Sequence, residues 1–231
     1  MLKVENTEVF GWEAAIRGMR NPMNSWHLSD SEWSICPDDN GDETFDYVVG
    51  EKDLKLMQNL SKAGDDHGKF LRYINVTVDI TAPLYWWKEF DTYKVGTVAN
   101  SCSTMHKIHA KEFTVDDFSA EHLDDVYYVD DKNIVYFDGK HSATPFEVLC
   151  FIVTALNRYR KSYLETKDKY YWWQMIQLLP SSYNQKRTVQ LNYQVLKAMY
   201  FARRNHKLDE WHTLCEWMEE LPYFNEICIQ E

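Results

Sequence analysis

A handful of positions gather side chains capable of chemistry. Cys102 sits between Ser101 and Ser103, with His106, His109 and Glu112 shortly downstream. A thiol becomes a useful nucleophile when a base lies beside it, and the sequence offers Cys102 no His/Asp arrangement at the spacing of a cysteine nucleophile. His106 and His109 are three apart and would share a helical face with Glu112, but no further ligand completes a metal set in the sequence. No metal is therefore expected. His67 follows Asp65 and Asp66, the surroundings of an ordinary surface histidine. Arg203 and Arg204 close a helical pattern, where cations complement the helix dipole.

The elements that must position these residues follow from periodicity and punctuation. Leu2–Phe10 alternates as a strand, Trp12–Met19 reads as a short helix, and residues 21–50, rich in Asn, Ser, Asp, Pro and Gly, read as a loop pinned by Trp26 and Trp33. Leu54, Met57, Leu60 and Ala63 fall at helical spacing, and Ile74, Val76, Val78 and Ile80 put β-branched residues at every second position. Pro83 opens a helix expected to run through Tyr93. The acidic, aromatic stretch 119–140, with Asp138-Gly139 as a turn signal, reads as a hairpin or a variable insertion. Thr144 then caps a strong helix with Pro145 at its first position and Glu147 in its first turn. Helices at 168–179, 192–204 and 209–221 close the chain around a short strand at 188–191. Strands interleaved with helices in this irregular order give an α+β (mixed α/β) fold, read as a single domain over residues 1–231.

Composition limits the function. A net charge of −11 argues against a protein that coats a nucleic acid polymer, yet one nucleotide phosphate needs only a local cluster of donors. Lys186, Arg187, Lys197, Arg203 and Arg204 form such a gathering near the C-terminus. Five scattered cysteines (Cys36, Cys102, Cys150, Cys215 and Cys228) read as free thiols in a reducing compartment, so the cytoplasm is expected. The N-terminus is too polar for a signal peptide, and the longest apolar stretch, 146–156, is too short for a membrane span.

Three ordered segments resemble the flavin-dependent thymidylate synthases. In the first, His67 stands at the histidine of Gly-His-x-Ser-x-x-Glu-His, with Lys69, Arg72 and Tyr73 at the remaining Ser, Glu and His. In the second, Ala82-Pro83-Leu84-Tyr85-Trp86-Trp87-Lys88-Glu89 resembles Ala-Pro-x-Phe-x-x-Arg-Gln, and Thr92-Tyr93-Lys94 falls on the signature Arg-His-Arg. With one inserted residue, Asn100 and Ser103 then match the downstream Asn and Ser, with Met105 in place of an Arg. In the third, Leu179-Pro180, Asn192 and Arg203 keep the family's Leu-Pro, Asn and Arg at ungapped spacing, with Gln194 replacing a second Arg.

The resemblance implies a central, mostly antiparallel sheet with flanking helices and a variable region at about 110–142. It implies reductive methylation of dUMP to dTMP, with methylenetetrahydrofolate as carbon donor, FAD as hydride carrier and NADPH as reductant. It assigns His67, Thr92, Tyr93, Lys94 and Asn192 to the flavin, and Lys88, Glu89, Ser101, Ser103 and Arg203 to the nucleotide, with Arg203 also acting catalytically on the uracil ring. A homotetramer is implied as well. The missing arginines open the alternative of a homologue that binds a nucleotide without flavin chemistry, or an interaction protein on the same scaffold.

Overall fold

The structure is a computed structural model that describes residues 2–37, 41, 43–128, 133–136 and 142–229. It divides into two compact units, each built from separated stretches of chain: Met1–Lys3, Thr81–Thr92 and Ser101–Arg187 in the first, and Val4–Ile80, Tyr93–Asn100 and Thr188–Glu231 in the second.

The second unit begins with β1 (Lys3–Phe10) and α1 (Trp12–Arg20). Gly11 makes the turn between them at φ +97°, and a Cβ there would stand 2.0 Å from the Tyr73 carbonyl oxygen, so only glycine fits. One face of α1 buries Trp12, Ala15, Ile16 and Met19 together with the charged Arg20. The partner of that charge is Asp53 on α2 (Glu51–Lys62), 2.6 Å from the Arg20 Nε, with both side chains nearly inaccessible. Between these helices the expected loop is instead partly a hairpin. β2 (Glu32–Pro37) pairs antiparallel with β3 (Glu43–Val48), setting Trp33 opposite Tyr47 and Ile35 opposite Phe45. The period-2 alternation of these four residues outweighs the polar residues around them.

β4 (Asn75–Pro83) buries Val76, Val78, Ile80 and Ala82 completely, as its alternation requires. A four-stranded sheet runs in the order β1-β4-β8-β5, where β5 is Val98–Ser101 and β8 is Asn184–Asn192. The Tyr193 N–H donates to the Ile74 carbonyl, and the Thr188 hydroxyl donates to Asp79, so β8 runs antiparallel to β4. The predicted central antiparallel sheet with flanking helices is thus present. α6 (Tyr193–Arg203) and α7 (Asp209–Glu219) close this unit, with Tyr193, Leu196, Met199, Trp211, Leu214 and Met218 buried.

In the first unit α3 (Leu84–Phe90) follows Pro83 as its N-cap and stops three residues short of the predicted Tyr93. Its Trp86, Trp87 and Phe90 are buried, and the Trp87 indole N–H donates to the Gln185 carbonyl at 2.9 Å, so these aromatics serve the core. The short β6 (Val135–Tyr136) pairs with β7 (Ser142–Ala143), while the Asp138-Gly139 turn signal lies outside the described residues. α4 (Pro145–Thr166) and α5 (Lys169–Leu178) then form a helical hairpin around Ile108, Phe113, Phe118, Leu149, Val153, Leu156 and Met175. Thr144 and Glu147 form the expected capping box at the start of α4. Among the described residues no helix is long and apolar enough to cross a membrane.

Candidate functional site

In the second unit several residues expected at the site gather around α6. Asn192 is its N-cap, and the amide oxygen accepts the Val195 N–H at 3.1 Å. The segment 93–97 lies against the same turn: a Cβ on Gly96 would come within 3.2 Å of the Asn192 Nδ2 and 3.0 Å of a Val195 methyl. Gly96 avoids both and takes φ +80°, which brings the residues aligned with the family's signature onto the helix. Lys94 in that segment is exposed. At the other end of α6, about 16 Å away at 1.5 Å per residue, the Arg203 Nε donates to the Tyr93 hydroxyl at 2.9 Å. The guanidinium carbon lies 4.6 Å from the centre of the Trp211 ring and 5.6 Å from that of Tyr93. From sequence alone, Trp211 on a C-terminal helix reads as a residue for packing or oligomer contacts. Its place beside Arg203 depends on the turn between α6 and α7, which periodicity does not encode.

His67 is exposed in the turn after α2, its backbone N–H donating to the Gly64 carbonyl. That turn is tied to α6 through Gln194, whose Nε2 donates to Asp65 at 3.0 Å. The Gln194 Oε1 is buried and finds no hydrogen-bond partner among the described residues. The second unit therefore gathers the His67 turn, Tyr93, Lys94, Asn192 and Arg203 along one helix, with only Tyr93 and Arg203 in direct contact among the residues expected there. Gln194 was visible in sequence as the residue replacing an arginine.

The remaining expected residues lie in the first unit. Lys88 is exposed on α3. Glu89 offers its backbone carbonyl to the Thr92 hydroxyl at 2.7 Å, so Thr92 is engaged in closing the helix. Ser101 is exposed at the end of β5. Ser103 turns the chain, its hydroxyl oxygen accepting the His106 N–H at 2.8 Å and the Met105 N–H at 3.3 Å. The stretch from His106 to Glu112 forms turns, so the helical face that would have aligned His106, His109 and Glu112 is not built.

Ser103 lines a cleft of about 680 Å³ together with Cys102, Tyr183 and Gln185. Three lysines (Lys3, Lys111, Lys186) and three carboxylates (Asp116, Asp117, Glu121) also line it. Lys111 pairs with Asp117, and that hydrogen bond holds the lysine above its ordinary range. Burial, followed by the charge of Asp117, pushes the Tyr183 phenol up. A cleft of this volume suits a small molecule. With cations and carboxylates balanced, it lacks the positive excess that a phosphate alone would select.

Solved structures show the same architecture. The thymidylate synthase X of Helicobacter pylori, crystallised with FAD and dUMP, aligns over 99% of this chain and 97% of its own at 16% identity and a TM-score of 0.64. The chain has the fold of the flavin-dependent thymidylate synthases. A second structure of the H. pylori enzyme with FAD and dUMP aligns at 17% identity and the same TM-score, over 98% and 97% of the two chains. The UMP/dUMP methylase PolB of Streptomyces cacaoi, bound with 5-bromo-UMP, aligns at 13% identity and a TM-score of 0.56 over 95% of this chain and 88% of that one. No protein-family model and no curated protein sequence matches the chain.

Proposed function

We propose that the chain binds a uracil nucleotide of the dUMP or UMP class and methylates it reductively, taking dUMP to dTMP in the manner of the flavin-dependent thymidylate synthases. The observation that carries this reading is the seating of Arg203. The guanidinium is held edge-on by the Tyr93 hydroxyl and face-on by Trp211. A fork fixed in its plane is suited to the planar edge of a uracil ring or to a phosphate, and it carries no reorganisation cost when charge develops on a ring carbonyl. The fold and the ligands of its structural neighbours support a uracil nucleotide as that partner.

The first turn of α6 fits a flavin through several features. The positive end of an 11-residue helix, the Asn192 Nδ2 and the exposed Lys94 suit an anionic cofactor. The Gln194 Oε1, buried and without a hydrogen-bond partner among the described residues, is an acceptor, and a flavin ring carries a donor. Lys94 supplies charge without a forked contact, and Thr92 is engaged with Glu89, so the hold is electrostatic more than bidentate. Bound FAD would supply hydride transfer, with NADPH as reductant and methylenetetrahydrofolate as carbon donor. Under this reading His67 and Tyr93 flank the cofactor. Lys88, Glu89, Ser101 and Ser103 contribute to nucleotide or folate binding, and the protein works as a cytoplasmic homotetramer.

The flavin half of the proposal is tested by the visible spectrum of the purified chain, before and after FAD is offered, followed by conversion of dUMP with methylenetetrahydrofolate and NADPH. The expected result is a stoichiometric flavin band and formation of dTMP. A specific observation favours a second reading, that of a nucleotide-binding protein without flavin chemistry: Tyr93 stands where the family has histidine and occupies the Arg203 Nε. Binding of dUMP with no flavin uptake selects that reading, and the absence of both overturns the two together.

A further inference from the structure

Residues of β2 and β3 line a second cleft, of about 680 Å³, in the second unit. Its walls are aromatic: Trp12, Trp33, Tyr47 and Tyr223 all line it, with Glu13 and Asp46 contributing carboxylates. Trp33 and Tyr47 meet edge to face at 5.2 Å, and Trp12 and Tyr223 do so at 5.4 Å. Four ring systems on two walls make a box with negative ring faces and two carboxylates. Among the described residues Arg17 is the single cation on its lining, and it pairs with Glu13 at 3.7 Å. Burial, then the charges of Asp53 and Glu13, push the Tyr47 phenol up.

Tyr223 shows that the box is built under strain. It holds φ +56°, a left-handed conformation that a bulky residue adopts only when its surroundings compel it. Its hydroxyl accepts the Val49 N–H at 3.2 Å, and its ring meets Trp12 edge to face. On the hairpin side, Trp33 remains 51% exposed although it stacks on Phe45 at 5.2 Å with planes 10° apart. A large indole kept at a cleft mouth, beside a strained tyrosine and two carboxylates, has the chemistry of a cation receptor.

We propose that this cleft is a binding site for an organic ammonium group, seated on the faces of Trp33 and Tyr47 and neutralised by Glu13 and Asp46. None of these residues belongs to the Asn192–Arg203 site, so the inference stands apart from the nucleotide reading. The test titrates the full chain with choline and with 3,3-dimethyl-1-butanol, its neutral isostere of equal shape, following tryptophan fluorescence and calorimetry. A short peptide with one lysine, titrated in parallel, separates a protein side chain from a free amine as the source of the ammonium.

The expected result is saturable binding of choline or of the peptide, with the isostere about ten-fold weaker than choline. Trp33→Ala is expected to abolish the response, and Asp46→Asn, which leaves the ring stack in place, to weaken it several-fold. Equal binding of choline and its isostere would mean that the cleft takes apolar groups without regard to charge, and would overturn the proposal. So would no saturable binding of any ammonium, or unchanged affinity in both variants.

Discussion

Replacing Asp53 by alanine strips the most heavily used carboxylate in the second unit. Asp53 is fully buried, and its Oδ1 accepts from the Arg20 Nε at 2.6 Å. Its Oδ2 accepts from the Ser29 hydroxyl at 2.6 Å, the Ser31 hydroxyl at 2.7 Å and the backbone N–H groups of Asp30 and Ser31 at 3.1 and 3.2 Å. In the variant Arg20 keeps only the carbonyls of Ser25 and Leu28 and a long contact to the Ser25 hydroxyl. Breaking a buried ion pair from one side costs about 3–5 kcal/mol, chiefly because the surviving charge is left uncompensated. For a chain of this size that corresponds to a fall in melting temperature of roughly 6–20 °C. The double variant Arg20→Met/Asp53→Leu removes both charges and should recover only part of the loss, because the Ser29 and Ser31 hydroxyls and the N–H groups of Asp30 and Ser31 lose their acceptor.

The pH dependence has a definite sign. Burial raises the Asp53 carboxyl, but hydrogen bonds from Ser29, Ser31 and Arg20 and the arginine's charge outweigh it, so the folded value lies below the ordinary carboxylate range. The contribution is therefore complete above the unfolded carboxylate pKa and lost as pH falls through the lowered folded value. Thermal melts at pH 7 and through the acid range check both statements. A loss below about 1 kcal/mol at neutral pH, within the range of a single neutral hydrogen bond, would refute the reasoning.

Other consequences are more local. Asn192→Ala should cost about 1 kcal/mol through its lost cap. Asn192→Asp should keep stability in a thermal melt yet weaken FAD in a titration, because a carboxylate caps the helix but repels an anionic cofactor. Gly96→Ala should destabilise by about 1–2 kcal/mol, the cost of a left-handed residue with a side chain, since its Cβ also meets Val195 and Asn192; denaturant unfolding measures it. Burial pushes the Cys228 thiol up to about 12 and that of Cys215 to about 11, while Cys102 is exposed. Alkylation at mildly alkaline pH, located by mass spectrometry, should mark Cys102 in the native protein and reach Cys215 and Cys228 only after unfolding.

The elements that sequence reading located were those whose signals are local. Thr144, Asp168 and Asn192 are caps by residue type and stand as caps in the structure, each with its side chain accepting a backbone N–H. The alternation of β4 likewise survives intact, because a strand buried on one face declares itself every second residue. The β2–β3 hairpin was hidden because each strand has few apolar positions and both sit among Asp, Asn, Gly and Pro, which together read as loop. The pairings that hold the second unit together join distant residues: Arg20 with Asp53 lies 33 positions apart and, at the candidate site, Tyr93 with Arg203 110 apart. No local pattern carries such a pair. The ungapped spacing of Pro180, Asn192 and Arg203 pointed to α6, while the contacts of Arg203 with Tyr93 and Trp211 came from the fold.

The most direct test of the account is a calorimetric titration of the full chain with dUMP, repeated for Arg203→Ala and Arg203→Lys. The account predicts saturable binding by the parent and a loss of at least about ten-fold in Arg203→Ala, the scale of one charge-assisted hydrogen bond. Little recovery is expected in Arg203→Lys, because a point charge does not replace a planar fork. Unchanged affinity in Arg203→Ala, or no binding of dUMP or UMP by the parent, would contradict it.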